Sequence, residues 1–109
     1  SYDGEIKEKL LGVPHTLLTR FGEVSEPVAK AMAEGVRKKC NSDIGLSITG
    51  IAGPAGGSKE KPVGLVYIGL ADAGKTLVQK HYFHNGRQAI RLRSVRRALN
   101  MLRLYIIRG

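Results

Sequence analysis

The sequence predicts an α/β fold of three layers, with helices on both faces of a small mixed sheet. Three observations carry this expectation. Helical spacing fills the first 40 residues, alternating or apolar runs fill 44–84, and helical spacing returns over 87–107. The run VGLVYIGLA at 63–71 is apolar on both faces, as in a central strand covered on both sides. With 109 residues, 42% of them apolar, the chain has room for one domain with a real core.

Each element has its local reason. Over 3–11, Ile6, Leu10 and Leu11 share one side of a short helix that Gly12 and Pro14 end. A second helical turn spans 14–21 and closes at Gly22. Ser25 is a good N-cap, Pro27 stands just inside the start, and Val28, Met32 and Val36 give the spacing of a helix over 26–40. Arg37, Lys38 and Lys39 suit its C-terminal dipole.

Strands follow. Ile44, Leu46 and Ile48 alternate with Gly45, Ser47 and Thr49, so one face is apolar and the other small and hydroxylated. Residues 50–62 are too rich in glycine and proline for a regular element. Asp72-Ala73-Gly74 reads as a tight turn between the strand at 63–71 and a more polar partner at 75–84. On the final helix Leu92, Val95, Ala98, Leu99, Leu102 and Ile106 form one apolar stripe. No strand precedes the first helix, and three strands are few for this much helix, so an N-terminal portion of the domain is expected to be absent.

Composition excludes several classes. One cysteine, Cys40, rules out an internal disulfide framework. No apolar run approaches the ~18 residues of a membrane span. The net charge of +9 is unevenly placed. Residues 1–72 carry nine bases and nine acids, whereas 73–109 carry nine bases and no acid. Such a segment reads either as attraction to an anion or as a solvated helix face. Arg87 and Arg91 project to the side of the expected stripe, while Arg93, Arg96, Arg97, Arg103 and Arg108 project away. Nucleic-acid binding by this helix is the alternative reading, although two Phe, four Tyr and no Trp leave few rings for stacking.

GLADAGKT at 69–76 matches the P-loop pattern, but a P-loop runs from strand to helix, and LVQKHYF after Thr76 is a strand pattern. A hairpin is expected. His81 and His84 stand three apart on a strand and face opposite sides, so no metal site is expected. Cys40 is expected to be a packed or inert thiol. The most informative segment is TGIAGPAGG at 49–57: a strand with Ser47 and Thr49 on one face enters a glycine-rich loop. Backbone N–H groups in such a loop can hold an anion or a developing oxyanion.

The longer segment TGIAGPAGGSKEKPVG at 49–64 resembles the signature of the CinA C-terminal domain family, whose members are also known as nicotinamide-nucleotide amidases. SYDGEIKEKLLGV resembles the family's Tyr-Ser-…-Lys-…-Leu-Leu-Gly-Val helix, GEVSEPVAKAMAEGVRKK its next segment, and GRQAIRLRSVRRAL its final helix. The resemblance implies hydrolysis of the carboxamide of nicotinamide mononucleotide, in pyridine-nucleotide recycling in the bacterial cytoplasm. It implies a serine nucleophile in a Ser-Cys-Thr-Gly-Gly-type segment upstream of this chain, with Lys7 as its base and Tyr2 and Thr49 completing the catalytic set. Arg87 is the implied phosphate contact; Gly50, Gly53, Gly56 and Gly57 of the glycine-rich loop, and Arg91, which projects to the same side as Arg87, are expected to bind substrate with it. No cofactor or metal is implied. The expected partners are a small nucleotide substrate, further copies of the chain and a CinA N-terminal domain; nucleic acid and membrane are not expected.

The chemistry suits these residue types. Serine needs a base, and a Ser-Lys pair is a known variant of the triad. Lysine acts as a base only when burial or nearby cations bring its pKa well below about 10.4. Two positions depart from the family pattern: Asp3 follows the tyrosine, and Asn85-Gly86-Arg87 replaces Gly-Asp-Arg. Without the nucleophile segment, the 109 residues are expected to be inactive alone.

Overall fold

A computed structural model describes residues 12–51, 58–59 and 61–108. Three helices, α1 (His15–Phe21), α2 (Glu26–Cys40) and α3 (Gly86–Arg108), accompany strands β1 (Gly45–Gly50), β2 (Leu65–Ala71) and β3 (Thr76–Tyr82). The helix expected over 3–11 lies outside the described residues. No helix among them is long and apolar enough to cross a membrane.

The sheet order is β1-β2-β3, and both pairings are antiparallel. The mixed sheet expected from sequence is therefore antiparallel throughout among the described strands. Each strand pairs with the next one in sequence, and a tight hairpin joins β2 to β3. The central position of β2 is as expected: six of its seven residues are buried.

The first helical layer sits close to the sheet because both surfaces are built of small residues. Ser25 caps α2, its Oγ accepting from the Val28 N–H at 3.4 Å, and Pro27 stands in the first turn, where no N–H is missed. Asn41 ends the helix in the left-handed conformation. Buried Val28, Ala29 and Ala33 face the sheet. Opposite them, Ser47 pairs with Gly69, and a Cβ on Gly69 would stand 2.8 Å from the Ala29 carbonyl oxygen. Ser47 Oγ donates to that same carbonyl at 2.7 Å. The small, hydroxylated face of β1 is thus the face that meets α2. Cys40, the last residue of α2, is an exposed free thiol.

The second layer stands on bulky side chains. Val66, Ile68 and Leu70 pack with Phe83 against Ile90, Ala98 and Met101 of α3, and Ile44, Leu46 and Tyr105 flank them. Burying each large aliphatic side chain contributes roughly 1.5–3 kcal/mol. Here the expected stripe is corrected. Of its six residues only Ala98 is buried on the sheet side; Leu92, Val95, Leu99 and Ile106 are about half or more exposed. Helix α3 carries two apolar stripes on adjacent faces, and Ile90, Ser94, Ala98 and Met101 form the one that meets the sheet. Periodicity shows that a stripe exists; it does not say which stripe faces the core.

The P-loop pattern is a hairpin, as expected. Asp72 N–H donates to the Lys75 carbonyl at 2.8 Å, and Asp72 Oδ1 accepts from the Gly74 and Lys75 N–H groups at 2.8 and 2.7 Å. Tyr105 Oη donates to Asp72 Oδ2 at 2.9 Å, tying α3 to the turn. The backbone bonds from Lys75 and Gly74, then the Tyr105 hydroxyl, hold the Asp72 carboxyl below its ordinary pKa of 3.8. A carboxyl lowered by folding stabilises the fold fully above its unfolded pKa and loses that contribution as pH falls through the folded value. Asp72→Asn removes this component. Its urea midpoint is therefore expected to lie below the parent's at about pH 6 and to converge on it toward about pH 2. A gap that stays constant with pH would contradict this.

Candidate functional site

The C-terminal end of β1 gathers the described candidates. Thr49 is buried, and its Oγ1 donates to the Glu23 carbonyl in the α1–α2 connection at 3.0 Å. It shares its face with Ser47, toward α2. Gly50 is the last residue of β1 and packs on Val66, with which it pairs. The glycine-rich segment leaves the sheet from this point, and Gly53, Gly56 and Gly57 lie outside the described residues, as do Tyr2 and Lys7.

On the opposite face of the sheet lies a groove of about 210 Å³ between β1 and α3. Gly50, Ile48 and Val66 form its sheet wall; Ile90, Arg91, Ser94 and Val95 form its helix wall. The structure thus brings Gly50 and Arg91 together. Thr49 stands next to this groove in sequence but points its side chain to the other face. Arg87 is exposed in the first turn of α3 and does not line the groove.

The guanidinium of Arg91 can meet a phosphate with two parallel hydrogen bonds at the mouth of an otherwise apolar groove. Ser94 offers no hydroxyl proton to a ligand, because its Oγ donates to the Ile90 carbonyl at 2.6 Å. Sequence reading missed Ile48, Ile90 and Val95 as groove walls. Val95 and Ile48 were visible as members of the α3 stripe and of the apolar β1 face, but nothing local in the sequence set them beside each other. Among the described residues no three His, Cys, Asp or Glu side chains gather as a metal site. His81 instead stacks on Phe83, with ring centroids 5.3 Å apart. Burial, and then the nearby Arg97, lower its pKa from the usual histidine value.

Comparison with known proteins bears on this arrangement. A CinA-like protein of Endomicrobium trichonymphae is 54% identical over 107 residues, 98% of this chain and 25% of its own length. A CinA-like protein of Syntrophus aciditrophicus is 46% identical over 110 residues, again 26% of its own length. This chain therefore spans about a quarter of the length of the curated relatives it matches. Among solved structures, the competence/damage inducible protein of Agrobacterium tumefaciens superposes with a TM-score of 0.88 at 43% identity, covering 94% of this chain and 63% of that one. A CinA superfamily protein of Escherichia coli superposes with a TM-score of 0.85 at 33% identity, covering 90% and 57%. The model of the CinA C-terminal domain family matches residues 1–106, nearly the whole sequence, and the chain belongs to that family.

Proposed function

We propose that this chain forms the C-terminal part of an amidohydrolase domain that converts nicotinamide mononucleotide to nicotinate mononucleotide and ammonia. The observation that supports this most is the end of β1, where Gly50 opens the glycine-rich segment and shares a groove with Arg91. In this reading a serine outside the present sequence attacks the carboxamide carbon while Lys7 takes the hydroxyl proton. Backbone N–H groups of the 50–57 segment meet the oxyanion. The carbon–nitrogen bond breaks as Lys7 returns the proton to the leaving amine, and ammonia departs. Water then attacks the acyl ester, releases the carboxylate and restores the serine. Arg91 and Arg87 hold the substrate phosphate and Tyr2 completes the catalytic set, while Thr49, turned to the α2 face and bonded to the Glu23 carbonyl, holds the strand end that carries Gly50.

The test is ammonia release and product chromatography with nicotinamide mononucleotide. An extended chain, in which the residues of the Agrobacterium protein outside the match are joined to this sequence, is expected to turn over. The 109-residue chain is expected to release none. Turnover by the short chain would remove the outside serine from the mechanism, and inactivity of a folded extended chain would overturn the amidase reading.

A second reading has its own observation. Arg93, Arg96 and Arg97 surround an open depression of about 400 Å³ with Phe83 and Asn100. Retention on heparin that falls steeply with salt would favour a polyanion ligand there.

A further inference from the structure

Five apolar residues of α3 lie on the stripe turned away from the core. Leu92, Val95, Leu99, Leu102 and Ile106 are spaced three, four, three and four apart, the repeat of a helix seam that packs on another helix. Leu99 is 56% exposed and Ile106 64%. Scattered exposed leucines are ordinary; five in heptad register along one helix are a docking surface. The seam continues into the groove beside Ile48, which is itself 39% exposed. The edge of β1 beyond that groove has no partner strand among the described residues.

Charge selects the occupant. Arg91 precedes the seam on one flank, and Arg96 and Arg103 follow it on the other; α3 contains no acidic residue. A second copy packed seam to seam would set these arginines against their own kind, which such flanking positions disfavour. A helix with an apolar seam and acidic flanks would pair with them. The solved relatives have room for one. More than a third of the Agrobacterium and Escherichia chains lies outside the match, although the match covers at least 90% of this chain.

We propose that the exposed seam of α3 is the seat of an acid-flanked amphipathic helix, supplied by the part of the polypeptide that these longer relatives carry outside the match. The helix lies along Leu92–Ile106, with carboxylates over Arg96 and Arg103, and leaves Arg91 at the groove between α3 and β1. This assignment rests on packing and charge and is independent of the amidase reading.

Two measurements test it. With other cysteines changed to serine, Leu99→Cys is labelled with a maleimide in the 109-residue chain and in the extended chain. Labelling at position 99 is expected to be at least tenfold slower in the extended chain. Equal rates would overturn the proposal. So would slow labelling of the short chain together with a dimer in sedimentation, which would make a second copy the occupant. The other measurement needs only the short chain. Two peptides with the same leucine seam, one flanked by glutamate and one by lysine, are titrated by fluorescence anisotropy. The glutamate peptide is expected to bind at least tenfold tighter, and Arg96→Glu with Arg103→Glu to reverse the preference. Equal binding, or none, would refute the acidic occupant.

Discussion

Gly64→Ala is expected to cost at least about 3 kcal/mol, a large part of the ~5–15 kcal/mol that holds an ordinary domain together. Gly64 joins all three strands. Its N–H donates to the Ile51 carbonyl at 2.7 Å, its carbonyl accepts from the Phe83 N–H at 2.9 Å, and the next residue, Leu65, begins β2. Its φ of +99° is one that side chains rarely adopt, and a Cβ there would run into the Phe83 carbonyl. That obstacle is backbone, held by its own hydrogen bond to Gly64, so it cannot swing aside as a side chain could. Gly86→Ala separates the two costs. Gly86 also has a positive φ, +91°, but a Cβ there would meet nothing within 4 Å. It is expected to lose only the conformational cost, about 1–2 kcal/mol. Urea midpoints of the two variants, at unchanged slope, check the difference. Equal losses would mean that the contact with Phe83 relaxes freely.

Lys7→Ala, made in the extended chain, is expected to lower the deamidation rate by about 10²–10⁴-fold, the usual worth of a positioned general base. Lys7→Arg is the sharper variant. It keeps the positive charge and most of the length, but a guanidinium does not give up its proton in a protein. If Lys7 takes the serine proton, the arginine variant falls as far as the alanine one. If Lys7 only neutralises an anion, arginine restores most of the rate. Steady-state kinetics on folded protein, with unfolding midpoints alongside, distinguish the outcomes. Thr49 would give a less readable result. Its hydroxyl also anchors the α1–α2 connection through the Glu23 carbonyl, so its loss would mix stability with rate.

Elements whose signals are local were legible in the sequence. Ser25, Pro27 and the basic last turn placed α2 at 26–40, where it stands. Apolar character on both faces made β2 central, and the residues after Thr76 turned a P-loop pattern into a hairpin. Strand β2 begins at Leu65, two residues later than its apolar run, because Gly64 bends the chain and leaves Val63 exposed. The orientation of α3 was not legible. The more apolar stripe, Leu92 to Ile106, turns outward, and the one that meets Val66, Ile68 and Leu70 includes Ser94 and Ala98, so hydropathy alone points to the wrong face. The candidate site divides the same way. Thr49 and Gly50 were visible as a strand end entering glycines. The approach of Arg91 to Gly50 joins residues far apart in sequence, and no spacing rule announces it.

The two helical layers are mounted on the sheet in different ways, and this sets where the fold can absorb change. Under α2 the spacing is set by Gly45 and Gly69, where a Cβ would run into the Ala33 and Ala29 carbonyls of the helix backbone. Under α3 it is set by aliphatic side chains, which exchange for one another at modest cost when total volume is kept. Variation in the core is therefore channelled to one side of the sheet. A designer seeking to reshape the groove between β1 and α3 can vary Ile48, Ile90 and Val95, while the α2 side serves as the fixed frame that carries Thr49.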